Sequence, residues 1–118
     1  MPIFVFEADL LFSSKFESLS RLGEQEFRIF TDASMLLEAA RSERPAAFII
    51  DLDSMDPDSV QLVAKLDVPV MGYYSHVNSE TARTAVQSGL NRVVTRGGFV
   101  ANSESLVREL LDSKRRGL

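Results

Sequence analysis

Residues 46–55 read AAFIIDLDSM, and this stretch decides the fold that the sequence predicts. Phe48, Ile49 and Ile50 are apolar at consecutive positions, as a strand that is buried on both faces requires. The apolar run stops at Asp51, and Asp53 follows two residues later. The pattern therefore indicates an inner strand of a helix-covered sheet, with carboxylates delivered at its carboxyl end.

Outward from this stretch, apolar strand-like runs alternate with amphipathic helical segments five times. The strand-like runs are residues 3–6, 27–30, 48–50, 68–74 and 93–95. We expect Gly23 and Gly89 to end the first and fourth helices, Gly23 in a left-handed conformation. Asp56-Pro57 is expected to begin the third helix, and Asn78-Ser79-Glu80 and Asn102-Ser103-Glu104 the last two. Because parallel strands need crossover helices, the alternation predicts an α/β fold with one parallel sheet covered on both faces.

Composition limits the classes of function that the chain can have. The 118 residues suffice for one domain, and the absence of cysteine excludes a disulfide framework and a thiolate metal site. The formal net charge of -4 argues against a protein that binds nucleic-acid phosphates, since such proteins need a clustered positive surface. The amino terminus has no basic segment before its short apolar run, and no stretch is long enough to span a membrane. We expect a cytoplasmic protein in which residues 1–118 form a single domain.

Polar residues gather where the predicted strands end. In a parallel sheet of this type, ligands lie beyond the carboxyl ends of the strands. The side chains expected at those ends are Glu7, Asp9, Asp51, Asp53, Tyr74, Ser75 and Arg96.

The sequence resembles the receiver domain of bacterial response regulators, the phosphate-accepting partner of sensor histidine kinases. Four segments carry the resemblance: IFVFEAD at 3–9, FIIDLDSM at 48–55, PVMGYYSH at 69–76 and AVQSGLNRVVTR at 85–96. The resemblance implies a flavodoxin-like (βα)5 three-layer sandwich with strand order 2-1-3-4-5.

The resemblance also implies roles for residues at the strand ends. Asp51 matches the aspartate that accepts a phosphoryl group, and the backbone carbonyl of Asp53 matches a weak metal contact. Glu7 and Ala8 match the acidic pair that helps to bind Mg2+, with Asp9 just beyond. Tyr74, followed by Ser75, stands where the family has a threonine or serine. Arg96 and Gly97 replace the family's lysine and proline.

These departures weaken the implied transfer of a phosphoryl group to Asp51. That transfer brings an anionic group onto a carboxylate, so it depends on Mg2+ and fixed hydrogen-bond donors to offset the repulsion. Ala8 removes a metal ligand, and Asp9 replaces it only if its side chain turns inward. Tyr74 is expected either to fill the pocket or to point outward. Arg96 keeps the charge, but its forked guanidinium favours a standing ion pair with Asp51.

We therefore interpret the sequence as an atypical receiver domain that acts in signal transduction by protein contact, with phosphorylation of Asp51 weakened or lost and Mg2+ bound weakly or not at all. It is not expected to be an enzyme beyond phosphorylating itself. Its expected partners are a histidine kinase or a downstream signalling protein, with homodimerisation through the fourth helix, fifth strand and fifth helix as one option.

Three alternatives stay open at this point. A phosphorylatable receiver would use Asp51 as nucleophile, with Glu7 and Asp9 holding Mg2+. A flavodoxin-like binder of a small ligand is weaker, because no loop resembles a phosphate cradle. Asp51 can also be a plain turn-forming acid. Tyr73 is expected in the core, and His76, the sole histidine, at the surface.

Overall fold

A computed structural model describes residues 1–23, 25–75 and 77–116, so His76 lies outside the described residues. Strands and helices alternate along this part of the chain. The strands are β1 (Ile3–Phe6), β2 (Phe27–Phe30), β3 (Ala47–Asp51), β4 (Val70–Tyr74) and β5 (Arg92–Thr95). The helices are α1 (Leu10–Gly23), α2 (Ala33–Ser42), α3 (Pro57–Ala64), α4 (Ser79–Gln87) and α5 (Arg96–Arg116). No helix within the described ranges has both the length and the apolar character that a membrane crossing requires.

The five strands form one sheet in the order β2-β1-β3-β4-β5, and each neighbouring pair is parallel. The central strand β3 is buried along its whole length, as its consecutive apolar residues require. The predicted α/β class, the parallel sheet and the strand order 2-1-3-4-5 are confirmed.

Helices cover both faces of the sheet and create two separate cores. One core joins alternate strand residues such as Val5, Ile49 and Met71 to α1 and α5. The other joins the intervening residues, such as Phe48 and Ile50, to α2, α3 and α4. Each fully buried side chain of this size contributes about 1.5–3 kcal/mol relative to its exposed state. The alternation also fixes which strand-end residues share a face, and this decides the composition of the site.

Aspartate side chains cap two helix starts, and the one at Asp56 is as predicted. The carboxylate of Asp32 accepts hydrogen bonds from the N–H groups of Ser34 and Met35 at the start of α2. Asp56 accepts one from the N–H of Ser59, and Pro57 occupies the first position of α3. Gly89 follows α4 with φ of 94°, the left-handed conformation that glycine adopts without strain.

The expectation that Gly23 adopts a left-handed conformation is wrong. Gly23 is the last residue of α1, and Gly89 is the one described glycine with positive φ. α5 begins earlier than predicted, at Arg96, and its second segment begins at the predicted position, after a kink at Asn102 (φ −130°, ψ 27°). Asn78 occupies the N-cap position of α4 but makes no side-chain capping hydrogen bond. Its amide donates to Asp53 instead, and such a tertiary contact is invisible in a local pattern.

Candidate functional site

Three strand ends bring two carboxylates and one guanidinium together at the carboxyl edge of the sheet. Glu7 follows β1, Asp51 ends β3, and Arg96 follows β5. Nη1 of Arg96 lies 3.5 Å from Oε1 of Glu7, and Nη2 lies 3.2 Å from Oδ1 of Asp51. We call these residues, together with Tyr73, the Arg96 cluster. The expected ion pair between Asp51 and Arg96 is present, and Glu7 shares it.

Because the two carboxylates are buried, their contacts with Arg96 matter for the stability of the fold. Glu7 is 1% and Asp51 is 2% exposed, whereas the Arg96 side chain keeps 31% of its surface. An unpaired carboxylate at such depth is strongly unfavourable, since the interior cannot replace its hydration. Arg96 therefore supplies the positive charge that lets two acids lie side by side in the interior.

Both oxygens of the Asp51 carboxylate accept contacts from the chain itself. Besides Arg96, its Oδ1 accepts a hydrogen bond of 3.1 Å from the N–H of Asp53. Its Oδ2 accepts one of 2.8 Å from the hydroxyl of Ser54. Asp51 is thus held in one orientation by a turn and by Arg96, and both of its oxygens are engaged.

Glu7 is held from two sides. Its Oε2 accepts a hydrogen bond of 2.9 Å from the N–H of Asp9, and its Oε1 accepts one from the hydroxyl of Tyr73. Burial raises the pKa of Glu7 above its ordinary value, against the opposing effect of the hydrogen bonds from Tyr73 and Asp9. Burial, with the hydrogen bond to Glu7 second, also raises the pKa of Tyr73 far above its usual range. The phenol therefore stays protonated and keeps donating to Glu7.

Aromatic rings form one wall of the Arg96 cluster. The guanidinium carbon of Arg96 lies 4.4 Å from the ring centroid of Phe12 and 5.1 Å from that of Tyr73. Tyr73 in turn stacks on Phe99, with ring centroids 5.3 Å apart. A cation over an aromatic face gains about 0.5–2 kcal/mol, more where water is excluded. The rings and the carboxylates thus hold the guanidinium from different directions.

Two of the predicted metal-site acids have other roles in the structure. Oδ1 of Asp9 accepts from the N–H groups of Leu11, at 2.9 Å, and Phe12, at 3.4 Å, at the start of α1. Oδ2 of Asp53 accepts from the N–H of Ser75 at 2.8 Å, and its Oδ1 accepts from the amide of Asn78 at 2.9 Å. Asp9 therefore caps the start of α1, and Asp53 ties the turn after β3 to the loop after β4.

Tyr74 lies outside the Arg96 cluster. Its side chain is half-buried and packs against the core beneath α2, α3 and α4. Successive residues of a strand point to opposite faces, so Tyr74 lies across the sheet from Tyr73 and the Arg96 cluster. Ser75 meets the site through the N–H that Asp53 binds.

The residues present do not fit a Mg2+ site. Such an ion takes an octahedral set of oxygen ligands. Here a guanidinium contacts both buried carboxylates, Ala8 offers no ligand side chain, and Asp9 caps α1. Across residues 1–23, 25–75 and 77–116, no group of three or more His, Cys, Asp or Glu side chains is placed to hold a metal.

Sequence reasoning missed two residues whose side chains donate hydrogen bonds to the two buried carboxylates. Tyr73 was assigned to the core alone, although it pairs in register with Asp51 and so shares its face of the sheet. Ser54, three residues after Asp51, has the spacing at which a serine hydroxyl reaches back across a turn. The spacing of Ser54 from Asp51 is visible in the sequence, whereas the position of Tyr73 can be inferred only once the strand register is known.

Solved structures with the same arrangement of elements include a receiver domain protein described as CheY-like from Methanospirillum hungatei JF-1. It superposes with a TM-score of 0.85 at 13% identity, over 99% of this chain and 98% of that one. This chain has the response regulator receiver fold. A receiver protein from Burkholderia phymatum gives a TM-score of 0.77 at 19% identity, over 94% and 95% of the two chains.

The receiver fold also occurs as part of a larger neighbour. NtrX from Brucella abortus, solved in complex with ADP, matches 99% of this chain with a TM-score of 0.85 at 18% identity. This chain spans only 28% of the NtrX chain. The sequence matches no protein-family model and no curated protein.

Proposed function

We propose that this chain is an atypical receiver domain that works in signal transduction as a protein-interaction module, with phosphorylation of Asp51 weakened or lost. One observation carries the proposal: the guanidinium of Arg96 contacts both buried carboxylates, Glu7 and Asp51. The cation at this site is therefore a side chain of the protein, whereas the family resemblance implies an exchangeable metal ion.

Electrostatics explains why this arrangement opposes phosphorylation. An incoming phosphoryl group brings negative charge to Asp51, so the site must present free cations and donors to its oxygens. Arg96 is already engaged by two carboxylates, and the N–H of Ser75 by Asp53. Each must give up an existing contact before it can bind a phosphoryl oxygen, which raises the barrier to transfer.

Protein contact is the proposed output of the domain that residues 1–118 form. The partner classes are a histidine kinase or a downstream signalling protein in the cytoplasm. The face formed by α4, β5 and α5 is the proposed surface for a homodimer or a partner. Val86 on α4 supports this choice, because it is apolar and 59% exposed.

Intact-mass measurement after incubation with acetyl phosphate and Mg2+ tests the proposal. We expect no gain of a phosphoryl group under conditions that phosphorylate a working receiver in parallel. The matched control is Asp51→Asn, which removes the accepting oxygen at nearly constant volume. An acid-labile phosphoryl adduct on the wild-type chain that is absent from Asp51→Asn would overturn the proposal in favour of the phosphorylatable alternative.

A further inference from the structure

A second concave surface lies between α1 and the kinked start of α5. This groove has a volume of about 480 Å³, and Lys15, Ser18 and Leu19 of α1 form one of its walls. The opposite wall belongs to α5 and includes Val100, Ser103 and Arg108. The kink at Asn102 starts a second helical segment, 103–116, and the first residues of that segment line the groove. The amino end of a helical segment carries partial positive charge, which favours an anion.

Ser103 is the observation that points to a ligand. It is only 6% exposed, on the face of α5 that also buries Phe99 and Val107. Its hydroxyl has no hydrogen-bond partner among the residues that the structure describes. Since no fully buried side-chain oxygen or nitrogen in the described residues lacks a partner, this oxygen must keep some solvent-accessible surface, and Ser103 lines the groove. An unpaired donor thus stands in a recessed position where a polar ligand can reach it.

The charges around the groove have the sign that an anion requires. Lys15 makes no ion pair with any described residue, so its ammonium is available to a ligand. Arg108 contributes a second cation, although it lies 3.7 Å from Glu104, which also lines the groove. That pair is highly exposed, with side chains 71% and 63% accessible, and is therefore weak and readily rearranged.

We propose that this groove binds a phosphate group, held by the hydroxyl of Ser103 and by Lys15 at the amino end of the 103–116 segment. Leu19 and Val100 add apolar surface, on which the organic part of a phosphate ester would lie. Free phosphate and a phosphomonoester share the anionic group, and the ester gains additional apolar contact. The site is independent of Asp51, so its success or failure leaves the proposed function untouched.

Titration of the full chain with inorganic phosphate and with phenyl phosphate, followed by amide NMR at constant ionic strength, tests the proposal. We expect saturable shifts at residues 103–105 and 15–18, with phenyl phosphate binding more tightly. Equal affinity for the two probes would identify free phosphate as the source. Ser103→Ala should weaken binding about tenfold, because it removes a hydrogen bond to a charged group. Lys15→Gln should weaken it about threefold, and Glu104→Gln should strengthen it.

Two controls separate binding from folding. Ser103→Ala removes a hydroxyl that has no partner, so we expect the free energy of unfolding to stay the same or to rise. Lys65→Gln removes a lysine at the end of α3, away from the groove, and should leave the affinity unchanged. No saturable shift with either probe would overturn the proposal, and so would shifts that Ser103→Ala and Lys15→Gln leave intact.

Discussion

Nη2 of Arg96 lies 3.2 Å from Oδ1 of Asp51, and the carboxylate that it meets is only 2% exposed. The contact joins the ends of β5 and β3, two strands that are separated in the sheet by β4. Because Glu7 accepts the other arm of the guanidinium, the ends of three strands depend on one side chain.

Replacement of Arg96 by methionine should destabilise the fold by about 2–3 kcal/mol. Methionine keeps the bulk of the side chain beside Phe12 but leaves two buried carboxylates without a cation. Removing one partner of a fully buried ion pair costs about 3–5 kcal/mol. The lower figure reflects the partial exposure of Arg96. Urea denaturation at neutral pH measures the change in the free energy of unfolding.

Arg108→Met is the matched control for this replacement. Arg108 pairs with Glu104 at the surface, so its loss should change stability by less than about 1 kcal/mol. Equal effects of the two substitutions would show that the Arg96 cluster contributes no more than a surface ion pair.

Tyr73→Phe should cost about 1–3 kcal/mol, because it removes the hydroxyl that donates to the buried carboxylate of Glu7. Tyr74→Phe is a close control: the neighbouring tyrosine packs on the opposite face, and its hydroxyl has no hydrogen-bond partner in the described part of the chain. We expect the second substitution to be almost neutral in urea denaturation. A larger loss from Tyr74→Phe than from Tyr73→Phe would reverse the assignment of the two faces.

Stability should depend on pH through Glu7. Burial raises the pKa of this carboxyl in the folded chain above its ordinary value of 4.5, so the folded state binds the proton more tightly than the unfolded state. That contribution to stability is fully present below the unfolded pKa and is lost as the pH rises through the folded pKa. The glutamine of Glu7→Gln does not ionise, so this variant does not lose stability in that way. Its free energy of unfolding minus that of the wild type should therefore increase as the pH rises from 4.5.

Unfolding curves for both chains, recorded from mildly acidic to neutral pH, check the sign of this difference. A difference that falls with rising pH would mean that Tyr73, Asp9 and Arg96 stabilise the ionised form of Glu7 by more than burial opposes it.

Gly72→Ala should destabilise the chain by about 1–3 kcal/mol through overpacking. A Cβ at this position would lie 2.6 Å from Cδ1 and 2.7 Å from Cγ of Leu52, the residue directly after Asp51. Gly97→Ala is the matched control, since a Cβ there meets nothing within 4 Å and alanine favours the helix that contains it. Thermal unfolding compares the two variants. Equal stability would show that Leu52 can move without cost.

The sequence was sufficient to predict the strands, most helices and the parallel sheet because apolar runs, acidic caps and Gly89 act locally, within a few residues of their effect. The strand order came from the family resemblance. The same local rules missed the helical residues that begin at Arg96 and precede the predicted start at Asn102, where α5 is kinked. They also placed Gly23 in the wrong conformation. Helix ends depend on tertiary contacts, and these are absent from a local pattern.

The site was predictable only in part. The pair of Asp51 and Arg96 follows from strand ends that meet at one edge of the sheet, and the sequence indicated it. The hydrogen bond from Tyr73 to Glu7 joins residues 66 positions apart, and it depends on which face each strand residue occupies. The sequence could not show whether the Asp9 carboxylate would bind the N–H groups at the start of α1 or enter the pocket. In the structure it accepts hydrogen bonds from those N–H groups.

Binding of Mg2+ to the wild-type chain is the most direct test of the claim that Arg96 supplies the resident cation of this pocket. The chain has no tryptophan, so its emission comes from its two tyrosines, one of them in the Arg96 cluster. We expect millimolar Mg2+, with or without beryllofluoride, to leave that emission almost unchanged. The double variant Ala8→Asp and Arg96→Lys, which restores the family's residue types, should acquire a saturable response. A saturable response of the wild-type chain that Asp51→Asn abolishes would contradict the account.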